Sequence, residues 1–312
     1  KLVTELNKQE LNNELSFFEV LFLIALLYFK NQQVSIALLE TGLGGRLDAT
    51  NAVKSELSLL SRIDYDHCDI LGNTLPEIAS EKAGIIKSNP VIALKQKDEV
   101  NDVFSRFAQK NNSKLAWVNA DACPEDINAG QWENSHLALA AAKHLDPSGK
   151  FPDLLSLAKS PLAGRQHSCE YGGDQYLLDV AHNEVSIKLL CQKLTKFNTK
   201  VQLLYAMADS RDSKKLLSLL APHINCITFT DLPGGRPGIE PEELSKTFQQ
   251  IDSHIKPTIL RHQEGIRKWI EAPVNGGLKL VCGSFYLVGA VMDIMNYDAE
   301  KLYTHSSSER LS

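Results

Sequence analysis

The sequence predicts an α/β fold in two domains. Three observations lead there: apolar strand-like runs alternate with helical stretches, this alternation occurs twice, and a stretch rich in Pro and Gly separates the two series. A chain of 312 residues also exceeds what one hydrophobic core usually serves. In the first series, residues 16–30 read as a buried helix capped by Ser16, with apolar residues on nearly every face. Residues 34–39 are a short apolar run with β-branched members and read as a strand ending at Glu40 and a Gly-rich turn. Residues 57–63 and 90–94 read as further strands, and helical stretches fall near 98–110 and 133–145. Thr74-x-x-Glu77 has the form of a capping box, with Pro76 tolerated in the first turn and Gly84 able to end that helix. The segment 146–166 carries Pro147, Gly149, Pro152, Pro161 and Gly164, which divides the chain into domains 1–160 and 161–312. In the second series, strands at 176–180, 201–206, 224–230 and 278–282 alternate with helices at 184–195, 212–221 and 241–249, and a last helix begins at Ser284. This is a smaller, doubly wound, Rossmann-like domain. The tail from Ser306 is polar and reads as disordered.

Composition narrows the function classes. The chain is 43% hydrophobic and 23% charged, as ordinary globular proteins are. Its net charge of -5 argues against a broad nucleic-acid footprint. The six cysteines, at 68, 123, 169, 191, 226 and 282, form no Cys-x-x-Cys pair. Zinc knuckles and redox motifs are therefore unsupported, and the scatter fits a reducing cytoplasm. The most apolar run, residues 17–29, contains Glu19 and is shorter than the about 20 residues that a bilayer span takes. The start has no basic region followed by an apolar core and a small-residue cleavage site. The expectation is a cytoplasmic protein with no membrane and no nucleic-acid partner.

Four places carry chemistry. Glu40 stands at the C-terminal end of an apolar run, the edge where ligands bind in parallel α/β sheets. A carboxylate there suits Mg²⁺, and the glycines at 42, 44 and 45 let backbone approach a ligand; a plain turn would have the same form. His67, within Asp64-Tyr-Asp-His-Cys-Asp69, reads as a metal ligand or a solvated loop residue. Lys82 follows Ile78 by four positions and Ala79 by three, so it shares their apolar helix face. It either snorkels to solvent or is held in a site where its pKa and reactivity change. In Tyr176-Leu-Leu-Asp-Val-Ala-His-Asn183 an apolar strand ends in Asp179, then His182, with Asn183 placed to cap a helix. Asp179 could accept from ribose hydroxyls or simply shape the turn.

These pieces occur together and in order: Ser16-Phe-Phe-Glu19, Glu40-Thr-Gly-Leu-Gly-Gly-Arg-Leu-Asp-Ala-Thr-Asn51, Asp66-His67, Glu81-Lys-Ala-Gly-Ile85, Asn134, Gly164-Arg165, Asp179-Val-Ala-His-Asn183 and Gly283-Ser-Phe285. The series resembles the folate branch of the Mur ligase superfamily, and within it the bacterial dihydrofolate synthase/folylpolyglutamate synthases. The likeness covers nearly the whole chain. It implies a Mur-ligase-like fold: a truncated central nucleotide-binding domain followed by the Rossmann-like one. It further implies that Glu40 and His67 bind Mg²⁺ and that Lys82 is carboxylated by CO₂ to a carbamate. Ser16, Phe17, Phe18 and Glu19 with Leu47, Asp48 and Ala49 would line a pterin pocket. Asn134, Arg165 and Asp179 would hold ATP across a domain cleft, with His182 near the phosphates. The implied reaction joins L-glutamate to dihydropteroate, or to the γ-carboxylate of a folate, through an acyl phosphate formed from ATP. Lys82, His182 and Arg165 would be the catalytic groups, in a monomer.

The sequence departs from that pattern at its start. Lys1 stands where an initiator Met would, no complete strand precedes the first helix, and no Gly-Thr-Asn-Gly-Lys-Gly-Ser phosphate loop occurs. The only Gly-Lys pair, Gly149-Lys150, lacks a strand–loop–helix context. The chain thus reads as the family without its first quarter, and losing a central strand should expose a sheet edge. A smaller departure is Ala163, where the family usually has Pro before Gly-Arg. Two competing readings follow: a Mur-type ligase for another acid, which the Leu47–Asn51 region and Ser16–Glu19 disfavour, and a non-catalytic remnant that binds a pterin or a partner. A nucleotide-binding oxidoreductase is disfavoured by the absence of Gly-x-Gly-x-x-Gly after any strand. Without a backbone cradle for the β- and γ-phosphates, the 312-residue polypeptide is expected to hydrolyse no ATP and to ligate nothing. Glutamate-dependent phosphate release from the purified polypeptide would refute this.

Overall fold

A computed structural model describes residues 15–125, 127–159, 162–208, 212–274 and 277–297. The chain divides into two compact units, Lys1–Lys159 and Ser160–Ser312. The tail expected to be disordered lies outside the described residues. Among the described residues, no helix is long and apolar enough to cross a membrane.

In the first unit, helix α1 (Phe17–Gln32) begins at the expected cap. The Glu19 backbone N–H donates to Ser16 Oγ at 3.3 Å, and Ser16 N–H donates to Glu19 Oε2 at 2.7 Å. The helix is not buried as expected. Phe22 is its one buried residue, and Phe17 is 85% exposed. A helix that is apolar all round is covered only where neighbours meet every face, and among the described residues they do not. Residues 34–39 also differ from expectation, for they form no strand, and Val34, Ile36 and Leu38 are exposed. A strand exists through its ladder partners, which local apolarity cannot supply.

The described sheet of this unit is parallel, in the order β1 (Ser58–Leu60), β2 (Val91–Leu94), β3 (Leu115–Val118). Its register pairs Ser58 with Val91 and Val91 with Leu115. Among the described residues strand β1 is an edge of this sheet, and its Leu59 is exposed. Helix α2 (Cys68–Leu71) follows β1, and α3 (Leu75–Ala83) follows with both halves of the Thr74/Glu77 capping box formed. Helix α4 (Asp98–Lys110) joins β2 to β3, and α5 (Ala129–Leu145) and α6 (Leu154–Ala158) complete the unit. Alternate residues of β2 serve opposite faces. Val91 and Ala93 pack with Ile78 and Ala79 of α3 and Phe104 of α4, whereas Ile92 and Leu94 pack with Leu137 of α5.

The second unit holds a six-stranded sheet in the order β4 (His167–Tyr171), β5 (Asp174–Leu178), β9 (Leu278–Cys282), β6 (Val201–Tyr205), β7 (Cys226–Phe229), β8 (Thr258–Ile259). All pairs are parallel except β4–β5. That hairpin was not anticipated. It turns at Gly172-Gly173, both with positive φ (60° and 84°), the backbone that two-residue hairpin loops favour. The helices are α7 (Glu184–Leu194), α8 (Ser213–Leu220), α9 (Pro241–Ile251), α10 (His262–Glu271) and α11 (Phe285–Ile294). Leu177, Leu203 and Leu280 face one core, and Tyr176, Leu204 and Val281 face the other, so the sheet is buried on both sides. The fully enclosed Lys279 of β9 is satisfied by three acceptors. They are Ile270 O at 2.6 Å, Asp174 Oδ2 at 2.9 Å and Tyr176 Oη at 3.1 Å, one for each ammonium hydrogen.

The topology positions a site. The chain passes from β5 to β6, works outward to β8, and returns as β9 into the gap beside β5. The C-terminal ends of β5 and β9 are therefore adjacent at one edge, the place where doubly wound sheets bind ligands. Two backbone bonds continue the ladder beyond the strands, Asp179 N–H to Val281 O at 3.0 Å and Gly283 N–H to Ala181 O at 2.8 Å.

Candidate active site

In the first unit, the Gly-rich loop is held by its own carboxylate. Asp48 Oδ2 accepts from the backbone N–H of Gly42 (2.8 Å) and Leu43 (3.1 Å), and Oδ1 accepts from the N–H (2.9 Å) and hydroxyl (2.6 Å) of Thr50. Burial pushes this carboxyl up, but the four donors outweigh burial and hold it below its ordinary value. The loop then lies against the end of α3. Arg46 N–H donates to Glu81 O at 2.8 Å, and Arg46 Nε meets the Glu81 carboxylate at 3.0 and 3.1 Å. Asn51 Nδ2 spans both segments, donating to Arg46 O at 3.1 Å and Gly84 O at 3.2 Å. A Cβ on Gly84 would stand 2.4 Å from Arg46 Cβ, so this glycine is needed for close approach. Its φ of -59° suits any residue, and the left-handed helix ending that glycines often supply is absent.

Helix α1 closes the other side of the loop. A Cβ on Gly42 would lie 3.1 Å from Phe18 Cζ. Between these walls lies an open cavity of about 310 Å³, lined by Ser16, Phe18, Glu19, residues 43–49, Ile70, Leu71 and Glu81. Six of the seven residues expected around a pterin line it: Ser16, Phe18, Glu19, Leu47, Asp48 and Ala49. Phe17 does not, because its position on α1 turns it to solvent. Sequence reasoning missed Arg46, Ile70 and Leu71, although the arginine lies inside the motif.

Lys82 is half-buried on α3, beside the buried Ile78, Ala79 and Ala83. Burial lowers its pKa, and the nearby Asp66 carboxylate opposes that shift. His67 follows Asp66, with Nε2 4.0 Å from Asp66 Oδ2, and its left-handed backbone (φ 51°) opens α2. The structure thus gathers Asp66, His67 and Lys82. Glu40 is exposed in the coil ahead of the loop. Among the described residues, no three His, Cys, Asp or Glu side chains could by themselves hold a metal ion. The Asp66 carboxylate near Lys82 is an oxygen donor of the kind a hard cation takes. Asn134 lies exposed on α5, next to the Arg62–Glu133 ion pair.

In the second unit, the ends of β5 and β9 gather four more residues. Asp179 is buried; Oδ1 accepts from Ala181 N–H at 2.8 Å and Oδ2 from Gln166 N–H at 3.1 Å. Burial pushes its carboxyl up, against those donors and the charges of Arg165 and Lys193. Asp179 thereby shapes the turn, as one reading had it, and also reaches toward Arg165. The Arg165 backbone is pinned on both sides, since Gly164 O accepts from Val180 N–H at 2.8 Å and Gln166 is tied to Asp179. Arg165 N–H also donates to Leu162 O at 3.0 Å, so this turn is fixed without a proline at Ala163. His182 Nδ1 lies 2.7 Å from Val180 O. A carbonyl only accepts, so Nδ1 is the donor in this bond. Asn183 caps α7 through Ser186, as anticipated.

No family model matches the chain. It is 29% identical over 322 aligned positions to the dihydrofolate synthase/folylpolyglutamate synthase of Haemophilus influenzae, covering 90% of this chain and 72% of that protein. The chain is thus similar, along nearly its whole length, to dihydrofolate synthase/folylpolyglutamate synthases. Its fold agrees with two solved structures. Against the Thermotoga maritima folylpolyglutamate synthase the TM-score is 0.73 at 26% identity, covering 96% of this chain and 75% of that one. Against Escherichia coli FolC in complex with DHPP and ADP it is 0.73 at 27% identity, covering 90% and 71%. The resemblance expected from the sequence and its α/β, Mur-ligase-like fold are therefore both found.

The loop–helix contact generates a sharp expectation. Gly84→Ala should lower stability by about 2 kcal/mol, because its methyl meets the Arg46 backbone and Cβ. Gly172→Ala, at a hairpin with open space but φ of 60°, should cost only about 1 kcal/mol of backbone strain. Urea denaturation ranks the two, and an equal or reversed order would show that the loop does not need this close approach.

Proposed function

We propose that the chain carries the folate-binding and ligase machinery of an enzyme that joins L-glutamate to dihydropteroate and to folate γ-carboxylates at the expense of ATP. The observation that carries this reading is the cavity joining the start of α1 to residues 47–49 and Glu81. Its volume and mixed lining suit a flat heterocycle, with Phe18, Leu47 and Ile70 as apolar walls and Glu19 and Arg46 as polar ones. The name of the solved E. coli relative, a complex with DHPP and ADP, supports the same two ligand classes.

The reaction runs in two steps. A substrate carboxylate oxygen bonds to the γ-phosphorus of ATP as the bond to ADP breaks, giving an acyl phosphate. The glutamate amine then attacks the acyl carbon, phosphate leaves, and the amine proton is released as the amide forms. Arg165 and Asn134 would hold the phosphates and the nucleotide, Asp179 would accept from ribose hydroxyls, and His182 would offer Nε2 for the proton that moves. Glu40, His67 and a Lys82 carbamate would hold Mg²⁺, which would supply positive charge to offset that of the phosphates.

Saturable binding of dihydropteroate to the 312-residue chain is expected by calorimetry. Leu47→Glu should weaken it about tenfold without moving the melting temperature, since Leu47 is a highly exposed cavity wall. No binding, or binding indifferent to that charge, sinks the pocket assignment.

Carbamate formation has a pH signature. The neutral Lys82 amine attacks CO₂, an N–C bond forms and a proton goes to solvent, so the modification needs the deprotonated lysine. Burial lowers the Lys82 pKa, so its neutral fraction rises at lower pH than that of exposed lysines. With ¹³C-bicarbonate, a carbamate signal should appear on raising the pH, ahead of signals from surface lysines, and be absent from Lys82→Arg. An identical spectrum for that variant would exclude Lys82 as the modified residue.

A further inference from the structure

Phe285 does not use its ring as the apolar residues of the later turns of its helix do. Leu287, Val288, Val291 and Ile294 of α11 are buried, whereas Phe285 is 50% exposed. Leaving so much of a phenyl ring in water forgoes part of the stabilisation that burial gives. The ring has two specific neighbours. The Arg165 guanidinium carbon lies 5.2 Å from its centroid, within cation–π range. The His182 ring centroid lies 5.2 Å away at an interplanar angle of 57°. Those neighbours come from separate segments, the turn after Leu162 and the loop after β5, and β9 delivers Phe285 to the same edge through Gly283 (φ 102°) and Ser284.

The Arg165 backbone is already fixed between Gly164 and Gln166, and His182 is held through its N–H, which donates to Ser186 Oγ at 3.1 Å, and through its imidazole Nδ1 on Val180 O. The end of the Arg165 side chain has more freedom. Arg165 is exposed, and a long guanidinium side chain in water samples many rotamers.

We propose that Phe285 is a positioning residue: its ring, set beside the anchored His182 imidazole, holds the Arg165 guanidinium in one arrangement at the C-terminal edge of the second sheet, before nucleotide arrives. This deepens the proposed function, because it rests on Arg165 as a phosphate-binding group. The gain is preorganisation, since an arginine already confined loses less entropy on gripping a phosphate. The aromatic ring is the required feature, so Tyr serves in place of Phe and Leu, of similar apolar character, does not.

Two measurements on the full 312-residue chain separate the possibilities. The first is ¹⁵N relaxation of the Arg165 Nε–H. It should report an ordered side chain in the parent and in Phe285→Tyr, and a mobile one in Phe285→Leu, with the melting temperature of all three alike. An Arg165 signal equally ordered, or equally mobile, in the parent and Phe285→Leu overturns the proposal. The second is ADP titration. Phe285→Leu should weaken binding about fivefold, Phe285→Tyr should restore it, and Arg165→Lys should add little in the Phe285→Leu background. Losses that simply add across the two sites overturn the coupling. If the parent binds no ADP while Arg165 still loosens in Phe285→Leu, the positioning role stands and the nucleotide reading of this edge fails.

Discussion

The first unit is organised around one steric constraint: the backbone at residues 45 and 46 lies against the C-terminal turn of α3 with no room for a side chain at Gly84. A Cβ on Gly45 would likewise stand 3.0 Å from Lys82 O and 2.9 Å from an Ile85 methyl. Once loop and helix are this close, the remaining bonds follow. The Glu81 carbonyl and carboxylate take Arg46, and Asn51 bridges both backbones. The two motifs at 40–51 and 81–85 are thus two halves of one contact, which is why they occur together. That contact also builds one wall of the cavity and fixes the turn from which Lys82 projects.

The second unit solves a different problem with a buried carboxylate. Asp179 is costly to enclose, as its raised pKa attests, and two backbone donors meet its two oxygens. The same bonds order the turn bearing Arg165 and the start of the loop bearing His182. A carboxylate at a strand end here joins two chain segments, and the adjacent end of β9 adds the third. The site is a property of strand order, since β9 returning between β5 and β6 brings residues some hundred positions apart to one edge.

Legibility in the sequence tracked the range of the interactions. Ser16 with Glu19, Thr74 with Glu77, Asn183 and Ser284 cap helices through bonds spanning two or three residues, and each was readable. The buried runs at β2, β5, β6 and β9 were readable because both faces of those strands are covered. Residues 34–39 look the same locally and yet form no strand, because pairing is a non-local property. The β4–β5 hairpin carried a signal, Gly172-Gly173 between two short alternating runs, that went unused. For the site, motif order pointed to Lys82, Asp179 and the cavity residues. It did not reveal that Gly84 serves close packing, nor that Phe285 contacts both Arg165 and His182, because those facts exist only between segments.

Asp48 shows why lining a pocket and binding a ligand are separate properties. A carboxylate offers about four lone-pair positions. Those of Asp48 are matched by four donors from Gly42, Leu43 and Thr50, all within the loop itself. A ligand N–H could engage Asp48 only by displacing one of them and loosening the Gly-rich turn. Its contribution to affinity therefore runs through the shape of the loop. Ser16 is in a similar position, since its hydroxyl accepts from Glu19 N–H and its own N–H is taken by Glu19 Oε2. Polar recognition in this cavity thus falls to groups with capacity left over: the second oxygen of Glu19 and the terminal guanidinium nitrogens of Arg46, whose Nε is committed to Glu81. Those two groups have opposite charge and lie on the lining of one small cavity. They suit a ring that presents both donors and acceptors along its edge, the hydrogen-bonding pattern of a pterin.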